Sequence, residues 1–173
     1  FAASCGVSRT TIMNYLGILE ATHLVHVVRP YHGGNAREIT ATPRVYGFDT
    51  GFIAWAQGLH EIPAKEKGFF WEHLVLNEMN AGLQDSAPFT WRDKEGHEVD
   101  FVWAPRGTAP SAIEVKWSAD AFEPNGIRAF RALHPQGRNY VVAADLHRSY
   151  ERQIGNLRVV FCPLDNLVAQ LLL

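Results

Sequence analysis

The sequence is short of several things, and each shortage closes off a class of function. It has two cysteines in 173 residues, Cys5 and Cys162, near opposite ends. They form no CxxC pair, so a disulfide framework is not expected and a reducing cytoplasm is the default compartment. Long hydrophobic runs are missing too. The most apolar stretch, Leu167 to Leu173, is too short to span a bilayer, so neither a membrane span nor a signal peptide is expected. There is no basic excess. Lys and Arg number 16 against 18 Asp and Glu, for a formal net charge of −2, so contact with nucleic acid would have to rest on a local basic patch. The eight histidines show no HxH or HExxH spacing, which argues against zinc. No GxxxxGK[ST] phosphate loop occurs, so no ATP site is assigned to this stretch. No Ser/His/Asp order stands out, and Cys5 and Cys162 read as packing residues.

What is present reads as globular. Hydrophobic residues make up 47% and charged residues 20%, and the length suits one compact domain or two small ones. The chain begins inside what reads as a helix, Phe1-Ala2-Ala3, and is expected to be a piece of something longer.

The chemistry concentrates in two alternating stretches. In Gly96 to Trp103, Val99, Phe101 and Trp103 share one expected face. In Ala112 to Trp117, Ile113, Val115 and Trp117 do. The other faces carry Asp100, Glu114 and Lys116. One reading makes these the solvated side of a hairpin. The other makes Asp100 and Glu114 a hard-oxygen site for Mg²⁺, with Mn²⁺ as substitute, and Lys116 a cation that steadies a metal-bound hydroxide or a phosphate.

A third acid favours the second reading. Phe69 to Gln84 has helical periodicity. At about 100° per residue, Phe69, Val75, Leu76, Met79 and Leu83 lie within roughly 60° of Glu72. An acid inside an apolar stripe needs a partner. That partner is an arginine, a capped loop, or the same cation as Asp100 and Glu114.

Helical Glu72, then Asp100, then Glu114-x-Lys116 on the next strand resembles the PD-(D/E)xK nuclease superfamily, although Val99 stands where that motif has proline. The resemblance implies an α/β (α+β) fold, a mixed sheet flanked by helices. It also implies a catalytic set of Glu72, Asp100, Glu114 and Lys116, with Asp100, Glu114 and Glu72 toward the metal.

The N-terminal part reads as a helix-turn-helix. Gly6 makes the turn and Ser8 caps a helix to about Leu19, with Val7, Ile12, Leu16 and Leu19 inward. Arg9, Thr10, Met13 and Asn14 face out, and Arg9, Thr10 and Asn14 are candidate nucleic-acid contacts. Leu24 to Arg29 reads as a strand, Tyr31 to Arg37 as a loop and Glu38 to Thr40 as its return. That is the order of a winged helix with His32, Arg37 and Arg44 on the wing, Arg37 being a further nucleic-acid candidate. The domain expectation is a winged-helix segment over 1–60, its first helix lying upstream, and a nuclease-like domain over 61–173.

Pro43 to Phe52 reads as a strand and turn with Asp49 or Thr50 as a cap, and Glu61 to Gly68 as the boundary loop. Phe89 to Arg92 is a strand in which Trp91 packs and Arg92 pairs with an acid. Asn125 to Leu133 is a crossover helix with Arg128 and Arg131 outward. Asn139 to Ala144 is a central strand, Leu157 to Cys162 another, and Leu164 to Leu173 a last helix.

Arg44-Val45-Tyr46 through Asp49-Thr50-Gly51, then Gly68-x-x-x-Glu72, Glu98-Val99-Asp100-Phe101 and Ile113-Glu114-Val115-Lys116 are similar, in that order, to the C-terminal region of a large prokaryotic family of predicted AAA+ ATPases. That region is called domain of unknown function 4143. The resemblance implies an ATPase domain upstream, and hence that domain as a partner, alongside DNA and, as an open alternative, further copies of the chain. Three functions stay open: a Mg²⁺-dependent phosphodiester-cleaving domain, an inactive nuclease-like recognition or assembly module of the ATPase, and a winged-helix DNA-binding regulator.

Overall fold

A computed structural model describes residues 2–36, 38, 43–83 and 86–173. Arg37 and Thr40 of the expected wing, and Gln84 at the expected end of the long helix, lie outside the described residues.

The N-terminal helices are α1 (Ala2–Cys5) and α2 (Arg9–Ala21). Ser8 caps α2 as expected, its hydroxyl accepting from the Thr11 N–H at 3.0 Å. Val7 and Cys5, read as inward or packing residues, are exposed, and α2 buries no side chain fully. Strand β1 (Val25–Val28) pairs antiparallel with β2 (Arg44–Gly47), from Val25 opposite Gly47 to Val28 opposite Arg44. The partner of β1 is therefore the stretch expected to be a linker. Arg44, expected on a wing, sits in that strand. Asp49 caps α3 (Thr50–Ala56), accepting from the Phe52 N–H at 2.6 Å.

The long helix is α4 (Lys67–Gly82). It buries Phe70, His73, Val75, Leu76 and Met79, whereas Phe69, expected in the stripe, is exposed. Then follow β3 (Phe89–Arg92), β4 (Glu98–Trp103), β5 (Ser111–Lys116), α5 (Asn125–Leu133), β6 (Asn139–Ala143), β7 (Tyr150–Ile154), β8 (Leu157–Cys162) and α6 (Leu164–Leu171). Strand β7, Tyr-Glu-Arg-Gln-Ile, is a mostly exposed edge strand in which Tyr150 and Arg152 lie against Phe161 and Ile154 packs on the core, an alternation that the arginine interrupts. Among the described residues these strands and helices make an α+β fold. One six-stranded mixed sheet has the order β3-β4-β5-β6-β8-β7. It is parallel across β5-β6-β8 and antiparallel elsewhere.

Each face of the sheet has its own core. On one, Phe101, Ile113, Val115, Tyr140 and Val142 meet Val75, Leu76 and Met79 of α4 and Leu167 and Leu171 of α6. Val28 and Tyr46, from the N-terminal strand pair, belong to this cluster. On the other face, Trp91, Val99, Val102, Val141 and Phe161 meet Ile127 and Phe130 of α5. A fully buried side chain of this kind stabilises by about 1.5–3 kcal/mol, so both faces hold the sheet. Central strands covered on both sides read as near-continuous apolar runs, and β6 is buried along its whole length.

Arg131 of α5, expected to face outward, is buried. Its guanidinium turns back to the loop after the helix. It donates to the carbonyls of His134 and Gln136, to those of Pro110 and Arg138, and to Asn139 Oδ1 at 2.6 Å. Burial without a carboxylate partner lowers its pKa to about 10.

Glu38 is another buried charge, its side chain wholly out of solvent. Rather than returning along β1, it bridges to Asp93, while Pro30 bridges to Thr90, so both residues touch the β3 end of the sheet. Among the described residues no helix is long and apolar enough to cross a membrane.

Candidate functional site

The site begins with an irregularity in β4. Phe89 faces Val102 and Trp91 faces Val99, so two steps along β3 match three along β4. That bulge places Val99 and Val102 together in the α5-side core and Phe101 in the α4-side core. The expectation that Val99 and Phe101 share a face is thus corrected by one extra residue. Bulges of this kind re-aim a side chain, and the one re-aimed here is Asp100.

The β4–β5 ladder runs from Trp103 opposite Ser111 to Phe101 opposite Ile113 and then stops. Past that point the Val115 N–H donates to Asp100 Oδ2 at 2.9 Å in place of a strand carbonyl. Lys116 Nζ lies 3.3 Å from the same oxygen and 2.7 Å from Glu114 Oε2. Glu114 and Lys116 are two apart on one strand and so project to one face. That face is not solvated: the Glu114 side chain is 7% exposed and that of Asp100 17%.

Burial first, and the Asp100 charge second, push the Glu114 carboxyl up to about 8, with Lys116 only partly offsetting them. Lys116 is itself raised. Burial opposes its charge, but Asp100 and Glu114 outweigh it. Together these describe two carboxyl groups short of positive charge around one ammonium.

Glu72 approaches from α4. Its Oε1 accepts the Tyr46 hydroxyl proton at 2.6 Å and lies 3.5 Å from an Arg44 nitrogen. Burial raises its pKa, then Asp100, against Tyr46, Arg44 and Lys116. Arg44 also pairs with Glu98 and stands 3.9 Å from Asp100 Oδ1. Burial disfavours its charge, yet Tyr46 and the two glutamates hold its pKa above the ordinary value. Arg92 completes the chain of charges, pairing with Glu98 at 3.1 Å.

The structure therefore brings Glu72, Asp100, Glu114 and Lys116 into one network. Arg9, Thr10 and Asn14 are exposed on α2, with no ion pair or hydrogen bond to these acids. Sequence reasoning missed Arg44 and Tyr46 as members. The available signal was their i, i+2 spacing on one strand together with the unmet demand of Glu72 for a partner.

Asp100 and Glu114 converge on the point that Lys116 Nζ holds, which is a donor set of hard oxygens suited to Mg²⁺. Glu72 does not close with them into a three-carboxylate cage. Among the described residues, the trio of His, Cys, Asp or Glu whose ligand atoms all lie within 4.8 Å of one another is Asp93, Glu95 and His97. There Asp93 is already committed to its own hairpin, accepting from the N–H groups of Glu95 and His97 and from His97 Nδ1 at 2.8 Å. A cleft of about 810 Å³ lies elsewhere, between the β7–β8 hairpin and the end of α6, and is not lined by Glu72, Asp100 or Glu114.

Residues 67–166 match the family described as Domain of unknown function (DUF4143). The chain belongs to the DUF4143 family. Every member of the acid network except Arg44 and Tyr46 falls within the matched DUF4143 residues. Residues 1–62 match a second family, Domain of unknown function (DUF8612), which takes in those two. Two curated relatives are each 28% identical over 119 residues: Uncharacterized protein Mb2031c of Mycobacterium bovis and Uncharacterized protein Rv2008c of Mycobacterium tuberculosis. The match covers 66% of this chain and 27% of each relative, so the chain spans about a quarter of their length. Among solved structures, a chain of the Thermococcus gammatolerans assembly of McrB AAA+ hexamers with bound McrC is similar over 56% of this chain and 28% of its own. Its TM-score of 0.44 at 10% identity falls below the level that establishes a shared fold.

Proposed function

We propose that this DUF4143 chain is a Mg²⁺-dependent, nuclease-like domain of the PD-(D/E)xK type that cleaves phosphodiesters as part of a longer, ATPase-associated protein. The observation that carries the reading is the convergence of Asp100 and Glu114, both largely buried, on the single ammonium of Lys116. Two carboxyl groups held that close without enough positive charge are a stored demand for a cation.

Asp100 and Glu114 would hold the ion, whose contribution when bound is a water far more acidic than bulk water and a Lewis acid for a phosphoryl oxygen. The Val115 N–H holds Asp100 Oδ2, the oxygen that meets Lys116, while Oδ1 faces Arg44 at 3.9 Å. Lys116, displaced from between the acids, would meet the negative charge that develops on the phosphate. Glu72, oriented by Tyr46, acts behind Asp100. Exposed Arg9, Thr10 and Asn14 on α2 would supply phosphate contacts away from the acids.

Titration of the purified chain with Mg²⁺ or Mn²⁺, with Glu114→Ala as control, tests this, followed by incubation with DNA and RNA substrates. Saturable binding lost in the variant, with metal-dependent cleavage, supports it. Absence of both overturns it.

One observation favours a second reading. Arg44 already contributes positive charge to Glu72, Glu98 and Asp100. If the acids need no ion, the same fold is an inactive recognition or assembly module of the ATPase.

A further inference from the structure

Trp117 follows Lys116 directly and is 47% exposed. Three contacts hold it in place. Trp71, next to Glu72 on α4, meets it edge-on at 6.3 Å and 90°. Trp71 is itself anchored through its indole N–H, which donates to the Val142 carbonyl at 3.3 Å. On the far side, Asp145 accepts from Ser118 Oγ at 2.6 Å and from the Ala119 N–H at 2.9 Å, pinning the backbone just after the ring.

The third contact is Lys67, whose ammonium lies 5.1 Å from the centre of the Trp117 ring. Among the described residues Lys67 has no carboxylate partner, although the chain carries more acids than bases. It also occupies the first position of α4, where the helix dipole disfavours a cation. A braced, half-exposed indole with an ammonium over it therefore stands one residue beyond Lys116, against the turn of α4 that carries Glu72.

We infer that Trp117 and Lys67 form a stacking platform for an unpaired base and its phosphate, so that the strand brought to Asp100 and Glu114 is single-stranded. This rests on the nuclease-like reading for its functional meaning. The physical argument is that an indole stacks on any base whose face is free, and the faces of bases inside a duplex are already covered. Lys67 moves from the ring to the phosphate as the base takes its place. A platform fixed in advance loses little freedom on binding.

The test uses the whole chain in EDTA, so that binding is read without cleavage, by fluorescence anisotropy of a labelled oligothymidylate and of a duplex of equal length. The chain is expected to prefer the single strand. Trp117→Ala weakens that binding roughly tenfold or more, and Trp117→Phe restores most of it. Lys67→Ala lowers the salt slope by roughly 0.7. Trp117→Ala also loses the contact with Trp71, so the unfolding midpoint of each variant is read alongside, and Trp117→Phe, which keeps a ring against Trp71, separates loss of stacking from loss of stability. Equal affinity of Trp117→Ala and parent for the single strand overturns the inference, and so does a preference for duplex or a ring that binds only protein partners. Metal binding by the parent and its loss in Glu114→Ala are read separately. Failure of cleavage thus leaves the strand-binding result standing, and the reverse holds too.

Discussion

Glu38 offers a perturbation whose size follows from the contacts around it. Its carboxylate is wholly buried and accepts five donors. Oε1 takes Trp91 Nε1 at 3.2 Å and His134 Nε2 at 2.5 Å. Oε2 takes His32 Nδ1 at 3.0 Å and the N–H groups of Gly33 and Asn35 at 2.9 and 3.1 Å. In Glu38→Ala the donors on the Oε2 side reach water, because that part of the loop is open. Trp91, 1% exposed, and His134, 12% exposed at its side chain, cannot. Two buried donors without acceptors cost about 1–3 kcal/mol each, so a loss of roughly 2–5 kcal/mol is expected. Glu38→Gln keeps one carbonyl for Trp91 and His134 and should lose roughly 1–2 kcal/mol.

The pH dependence follows with a definite sign. Burial works against the Glu38 charge, but His134, Asn35, Trp91 and Gly33 outweigh it and hold the carboxyl below its ordinary value. A depressed folded value contributes stability above the unfolded value of about 4.3 and loses it as pH falls through the folded one. Urea denaturation at neutral pH and at steps below pH 4.3 measures both effects. The parent should lose this contribution in acid, whereas Glu38→Gln should not. A Glu38→Ala protein within about 0.5 kcal/mol of the parent would refute the reasoning, since that is the range of an ordinary surface change.

Three further outcomes are expected. Gly126→Ala, normally favourable in a helix by roughly 0.5–1 kcal/mol, should here destabilise, because the new Cβ would stand 2.0 Å from the Glu98 carbonyl oxygen and 3.0 Å from Glu114 Oε1; thermal unfolding and metal titration read the two consequences. Arg44→Gln removes a competing positive charge and should tighten Mg²⁺ binding by calorimetry, while costing on the order of 1 kcal/mol in urea because the pair is a third exposed; weaker binding would contradict the assigned role. Arg131→Met strips the acceptors of Pro110, Gln136, Arg138 and Asn139 of their donor and should lower stability by roughly 2–4 kcal/mol in denaturant melts.

The sequence carries most of the regular architecture, and the reasons differ by element. Periodicity finds β3, β5, β6, β8 and α5 because their neighbours are apolar on a fixed period. Caps find α2 and α3 through Ser8 and Asp49, since that hydrogen bond is local. The convergence of Glu72, Asp100, Glu114 and Lys116 is legible as an ordered resemblance, although alternation alone misplaces Val99, because a bulge shows only in the partner strand. Arg131 and Arg44 are misjudged for one reason. A guanidinium goes inward only when distant acceptors meet it, here the carbonyls of the 134–138 loop or the acids of α4 and β4, and no local pattern reports those. The β7 strand is missed because Arg152 stands between Tyr150 and Ile154 on its core-facing side and breaks the apolar alternation.

The sheet ends differently on its two sides. At the outer side of β7, Glu151 and Arg152 are exposed, and charge of this kind discourages a second chain from adding a strand. At β3 the guard is a piece of the chain itself: Thr90 exchanges hydrogen bonds with Arg29 and Tyr31, at 3.0 and 2.6 Å, and Glu38 caps the next stretch by bridging to Asp93. Cutting the chain near residue 60 to isolate the acidic half would strip that guard from an apolar strand and remove Tyr46 from the core. Such a piece would meet its own copies along β3, and self-association of the trimmed protein should not be read as a natural assembly.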